Sequence, residues 1–111
     1  MNRIKSIKIK HFLRNIGVPT HILGYTYITE AIYHMTFEFD NRTVFIGEIY
    51  DYIAKQYETS ANCVEVSIRN AIKKTYQVSN QKFLEIFGNH KSLGNYAFLT
   101  ILRDTFEELY D

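Results

Sequence analysis

The chain has one cysteine, one proline and no tryptophan among its 111 residues. With Cys63 alone, no intrachain disulfide can form, and a reducing, cytosolic setting is expected. The histidines are scattered at positions 11, 21, 34 and 90, none paired at helical spacing or close to Cys63. No zinc site is expected from that pattern. No apolar run approaches the length of a membrane span, and the basic N-terminus lacks the apolar stretch of a signal peptide. There is also no phosphate-cradling glycine loop, no Ser-His-Asp spacing and no carboxylate pair in a plausible cleft. The expectation is a protein that is not an enzyme and needs no metal or cofactor. A net charge of only +1 excludes a histone-like binder.

Apolar side chains are plentiful, at 46% of the residues, with nine Tyr and eight Phe. That suffices for one core without disulfides or metal, so residues 1–111 are read as a single domain. Charge is unevenly spread. Residues 1–14 hold Arg3, Lys5, Lys8, Lys10 and Arg14 with no acid, whereas 104–111 hold Asp104, Glu107, Glu108 and Asp111 with no base. Acids at a helix C-terminus oppose the macrodipole. Their presence makes sense if that end faces a basic partner or another copy of the chain.

Helical periodicity runs through most of the sequence. A first helix is expected over 4–16, with Ile4, Ile7, Phe12 and Ile16 as its apolar stripe and Gly17 just past its end. A turn at Pro19 leads to a second helix from 21 or 25 to 39, carrying Ile28, Ala31, Ile32, Met35 and Phe39 on one face. Residues 39–43 read as a loop, and alternation resembling a strand appears only briefly at 43–46. A third helix spans about 46–57, with Ile46, Ile49, Tyr50, Ile53, Ala54 and Tyr57 inward. A fourth covers about 60–77, capped by Thr59 or Ser60, with Val64, Ile68, Ala71, Ile72 and Thr75 inward. A short fifth helix (80–87) ends at Gly88, and residues 88–95 form a loop. The sixth, 96–109, is capped by Asn95 and buries Phe98, Leu99, Leu102, Phe106 and Leu109. The class is all-α, a compact bundle of about six helices with a central helix-turn-helix at about 46–77.

A helix-turn-helix needs a small residue in its first helix, a tight joint, and a second helix with one free face. Ala54, the joint Glu58-Thr59-Ser60 and the stretch "ANCVEVSIRNAIKK" meet those needs. The outward residues are Asn62, Glu65, Val66, Arg69, Asn70, Lys73 and Lys74. Arg69 can bond guanine bidentately, Asn70 adenine, and Glu65 the amino group of cytosine, while Val66 can touch a thymine methyl or a protein partner. Asn62 joins the base-reading set. Ser60, Lys73 and Lys74 are candidates for phosphate contact, as are Lys8 and Lys10 if the lead follows the backbone as a basic arm. Tyr25 and Tyr27 can donate to phosphate as well. The same outward face also reads as a solvated helix surface, with Glu65 and Arg69 merely paired at i, i+4. Cys63 reads as a small, semi-buried filler.

Two stretches carry a resemblance. "IGVPTHILGYTYITEAI" (16–32) and "IAKQYETSANCVEVSIRNAI" (53–72) resemble the C-terminal DNA-binding domain of the sporulation master response regulator of Bacilli and Clostridia. The family pattern is roughly I-G-V-P-x-H-I-x-G-Y-x-Y-L-x-E-A-I, then I-A-x-x-[FY]-x-T-[ST]-x-x-R-V-E-R-A-I-R-H-A-I. The first stretch follows it nearly throughout, including Pro19, His21, Gly24, Tyr25 and Glu30. "SLGNYAFLTIL" (92–102) resembles the start of the family's last helix more weakly. The resemblance implies a six-helix domain that binds short, often tandem boxes in double-stranded DNA. It also implies regulation of transcription by contacting RNA polymerase sigma factor or by blocking it, and the tandem boxes suggest a homodimer on DNA. In the family this domain follows a phosphorylatable receiver domain. Here a lysine-bearing lead opens at Met1, which leans towards a stand-alone paralogue over an excised domain.

The recognition stretch departs from the pattern. Cys63 and Val66 stand where the family has arginines, and Asn70 where it has histidine, while Glu65 and Arg69 are kept. Each lost cation removes a charge-assisted contact, so the scaffold can be inherited without the readout. Two other functions stay open. One is a protein-interaction module on the same scaffold with weakened DNA binding. The other is an accessory DNA-binding protein of a plasmid or phage.

Overall fold

The computed structural model of the chain describes residues 2–38, 45–89 and 93–110. The expected loop at 39–43, the first part of the strand-like stretch at 43–46, and His90, Lys91 and Ser92 of the loop before the last helix lie outside them. Six α-helices and no strand occur among the described residues: α1 (Arg3–Asn15), α2 (Leu23–Tyr33), α3 (Ile46–Gln56), α4 (Ala61–Val78), α5 (Gln81–Phe87) and α6 (Asn95–Tyr110). The chain is all-α. The second helix does not run on in α form to position 39 as its periodicity predicts. It widens into a π-helical turn at His34–Glu38, a local change that residue spacing does not announce.

Local signals explain most of the boundaries. The Asn2 side chain accepts from the Lys5 amide and caps α1. At its other end Gly17 has φ of +94°, and the Val18 and Gly17 amides donate to the Leu13 and Arg14 carbonyls. Those two bonds are a Schellman motif, with the expected glycine in the left-handed position. Ser60 caps α4 by accepting from the Cys63 amide at 3.1 Å. Asn80 caps α5 by accepting from Phe83, and its amide nitrogen donates to the Asn15 carbonyl, tying α5 to the end of α1.

The central helix is α2, which packs on α1, α3, α4 and α6. Ile28, Ala31, Ile32, Ile53, Val64, Ile68, Leu99 and Leu102 form one buried cluster around it. Each Ile, Leu or Val side chain among them contributes about 1.5–3 kcal/mol by leaving water. Phe83, Phe87 and Phe98 form an aromatic stack at one end, with Phe87 and Phe98 nearly parallel at 4.7 Å.

Several apolar residues depart from the expected burial. Ile4 and Ile7 are 68% and 43% exposed. The stripe that α1 buries is Ser6, Ile9, Phe12, Leu13 and Ile16, and a 3.6-residue period through those positions turns Ile4 and Ile7 to the opposite side. Leu109 is 63% exposed in the last turn of α6, after Phe106 has made that helix's final core contact. Tyr57 is partly exposed while its hydroxyl reaches inward. Asn95 is not a cap. It is the first residue of α6, and its amide nitrogen donates to the Tyr50 hydroxyl at 2.9 Å and the Glu65 carbonyl at 3.1 Å.

Candidate nucleic-acid interface

The helix-turn-helix is built by α3, α4 and the joint between them. Tyr57 ends α3, Glu58 takes the left-handed conformation with φ of +53°, and the Thr59 amide donates to the Ala54 carbonyl at 2.9 Å. This is the bond that closes a Schellman turn, made here with glutamate where glycine is favoured. Ser60 then starts α4 at once. The joint is therefore short and tied to α3 by the Thr59 bond and to α4 by the Ser60 cap, which relates the direction of α4 to that of α3.

Two further contacts fix α4 in the body of the protein. The first is at Gly24. A Cβ built there would lie 2.3 Å from the Ser67 carbonyl oxygen and 2.5 Å from Ala71 Cβ. Only glycine lets the backbones of α2 and α4 approach so closely. The second is Asn95, which bonds the Glu65 carbonyl from α6.

Beneath the joint lies a buried polar group. Glu30 of α2 is 1% exposed. It accepts from the Tyr57 hydroxyl at 2.9 Å and lies 3.2 Å from His34 Nε2. Burial alone would raise the Glu30 carboxyl. The bonds from His34 and Tyr57 outweigh burial and hold it below the usual range. Desolvation and the facing carboxylate push the Tyr57 hydroxyl up to about 12. The end of α3 is thus anchored to the core through a charge-assisted bond. The sequence hint for this anchor is an acid and a histidine four apart inside the apolar run "YITEAIYH".

With α4 held on its inner side, its outer side is free. Val64, Ile68, Ala71, Ile72 and Thr75 are buried. Asn62, Arg69, Asn70, Lys73, Lys74 and Gln77 are exposed. Asn62, Val66, Arg69, Lys73 and Gln77 follow helical spacing along one stripe. Val66 is half-buried, a correction to its expected exposure, although its place in the stripe is outward. Glu65 is also half-buried, at the edge of the stripe. It lines a groove shared with Tyr50, Asn95 and Tyr96, and its carboxylate is 3.6 Å from Arg69 Nη1. Both side chains of that pair are largely solvated, so the contact contributes only about 0.2–0.5 kcal/mol and leaves the guanidinium free to engage elsewhere.

Cys63 is exposed, contrary to the expected semi-buried filler. Hydrogen bonds with Ser60 and then Thr59 hold its thiol below the ordinary value. Tyr25 and Tyr27 are buried, and the Tyr25 hydroxyl donates to the Lys10 carbonyl, so neither is placed for phosphate contact. Lys8 and Lys10 are exposed on α1, which packs on α2 and α6. They stand on a different helix from the stripe of α4. Sequence reasoning missed Asn95, Tyr50, and the supporting roles of Gly24 and Glu30.

Residues 9–105 match the family described as Sporulation initiation factor Spo0A C terminal. The chain belongs to this family. The match runs from the middle of α1, through α2 to α5, into α6, and the family is that of a DNA-binding sporulation regulator domain. The free outer side of α4 therefore lies within a fold whose family works on DNA in transcription regulation. No described helix is long and apolar enough to cross a membrane.

Proposed function

We propose that this chain is a sequence-specific transcriptional regulator that lays α4 in the major groove of double-stranded DNA. Asn62, Arg69 and Asn70 contact base edges, and Val66 packs on a thymine methyl. Glu65 orients Arg69 and accepts from cytosine where one is in reach. Ser60, at the first turn, and Lys73 and Lys74, further along, hold phosphates. The sigma-factor contact and the pairing on tandem boxes that the resemblance implies belong to the same proposal.

The observation that carries this reading is the exposure of Asn62, Arg69, Asn70, Lys73 and Lys74 on one side of a helix whose other side is wholly buried. Coverage of that side by other helices of the chain would have ended it. Site selection from random duplex DNA with the purified chain is the test. Enrichment of a short motif is the expected result. No enrichment at low salt, where phosphate attraction is strongest, overturns the reading and favours a protein-interaction module. Cys63 and half-buried Val66, in place of two arginines of the family pattern, are the support for that second reading.

A further inference from the structure

A groove runs beside the outer side of α4, and its lining includes Tyr50 of α3, Glu65 and Arg69 of α4, and Asn95 and Tyr96 at the start of α6. The Asn95 amide nitrogen has two hydrogens to give. It bonds the Tyr50 oxygen at 2.9 Å and the Glu65 carbonyl at 3.1 Å. One side chain thus ties Tyr50 to the turn of α4 that carries the Glu65 carboxylate. Tyr50 is buried, and its oxygen accepts from Asn95. A phenol also has a hydrogen to donate, and among the described residues no group of the protein takes it. The Tyr50 hydroxyl is held above its ordinary value first by burial and, against the Asn95 bond, by the nearby Glu65 carboxylate, with Arg69 pulling the other way.

The Glu65 carboxylate is placed differently. In the free protein its side chain is 42% exposed and lies 3.6 Å from Arg69 Nη1, so water and the guanidinium share it. A duplex laid on α4 takes both away, because water is expelled and the guanidinium turns to guanine. A carboxylate that is covered and left without a donor costs more than a hydrogen bond ordinarily contributes. Cytosine supplies a donor only at sequences that bring its amino group within reach.

We propose that Tyr50 is a specificity-determining positioning residue, whose hydroxyl donates to the Glu65 carboxylate when Arg69 leaves it for DNA and no cytosine is in reach. The inference rests on the reading of α4 as the helix that enters the major groove, and deepens it. Asn95 occupies the phenol oxygen as a donor, which leaves the O–H to find an acceptor in the groove. Tyr50 and cytosine are then rivals for one acceptor. With Tyr50 present, Glu65 accepts sites that lack cytosine at its position, while the demand of Arg69 for guanine is kept. Tyr50 itself touches no base. It acts through Glu65.

The test is site selection with wild type and Tyr50→Phe, followed by titration of duplexes that differ only at the base pair facing Glu65. The variant keeps the buried ring, and circular dichroism and urea unfolding check that it folds. Wild type is expected to tolerate several bases at that pair. Tyr50→Phe is expected to select cytosine there and to bind duplexes without it about tenfold more weakly, the size of one hydrogen bond to a charged group. Its salt slope should match that of wild type, because no phosphate contact is touched. In a Glu65→Ala background, Tyr50→Phe should change neither motif nor affinity. Equal weakening on all duplexes, or weakening that persists without Glu65, makes Tyr50 part of the scaffold alone and overturns the proposal. A wild type that enriches no motif overturns the reading of α4 and this inference with it. A wild type that enriches one, with Tyr50→Phe indistinguishable from it, overturns the inference alone.

Discussion

Two helices that touch each other, α2 and α4, are built on opposite terms. Nine of the 11 residues of α2 are buried, whereas five of the 18 residues of α4 are. The stretch 16–32, which resembles the family pattern nearly throughout, runs into α2. The departures from that pattern, Cys63, Val66 and Asn70, all fall on the outer side of α4. A buried side chain answers to every neighbour at once, so α2 has little room to vary. An outward residue of α4 answers only to what it meets in solution. The scaffold and the reading surface are therefore separable, and substitutions on the two should have different signatures.

The largest contrast is expected inside α4 itself. Ile68→Ala should destabilise the fold by about 2–5 kcal/mol in urea unfolding, through lost burial and a cavity. Val66→Ala, two residues away, should cost less than about 1 kcal/mol. Similar losses at both sites would erase the distinction between the two sides. Gly24→Ala should follow, at about 1–3 kcal/mol, because the added methyl meets the Ser67 carbonyl and Ala71. It should also lower DNA affinity by displacing α4, although Gly24 itself is buried.

On the outer side the effects should appear in binding and leave stability alone. Arg69→Ala should weaken binding to a selected duplex by about 1–3 kcal/mol, with wild-type unfolding. Lys74→Ala should weaken all duplexes alike and reduce the salt slope by about one. Titrations at several salt concentrations distinguish the two, and wild-type binding by both variants would remove α4 from the groove.

A smaller effect links the core to pH. The Glu30 carboxyl is held below its unfolded value, so its contribution is present above that value, about 4.3, and is lost as pH falls through the lower folded value. Glu30→Gln should cost about 1.5 kcal/mol at neutral pH. The gap from wild type should close in acid, as measured by urea unfolding across pH 3 to 7, roughly the span in which a carboxylate titrates. A gap constant with pH would mean that the charge of Glu30 does not stabilise the joint. The smallest change is expected at Glu58, whose φ of +53° is strained for a residue with a side chain. Glu58→Gly should raise stability by up to about 1 kcal/mol, read as a higher urea midpoint.

Much of this organisation was legible in the residues. The period through Val64, Ile68, Ala71, Ile72 and Thr75 marks the buried side of α4 correctly, because a long amphipathic helix repeats its signal many times. Gly17 and Ser60 mark helix ends because few residue types suit those backbone positions. The misses have a common cause. Ile4, Ile7 and Leu109 are apolar near helix ends, where too few turns remain to tell which side faces in. Whether Cys63 and Val66 are covered depends on neighbouring side chains and not on residue type. Asn95 resembles a cap in sequence, but its partners Tyr50 and Glu65 lie far along the chain and only the fold brings them near. Glu30 shows as an acid in an apolar run, while its partner Tyr57 is invisible without the third dimension.

The contact at Gly24 bears on how such a surface changes its target. With main chain pressed against main chain, a roll or slide of α4 towards α2 would drive the Ser67 carbonyl and Ala71 into Gly24. The angle at which it presents each outward position is then common to every variant that keeps the glycine. On the reading proposed above, new specificity would come from exchanging letters at fixed addresses, a matter of side-chain vocabulary on an unchanging page.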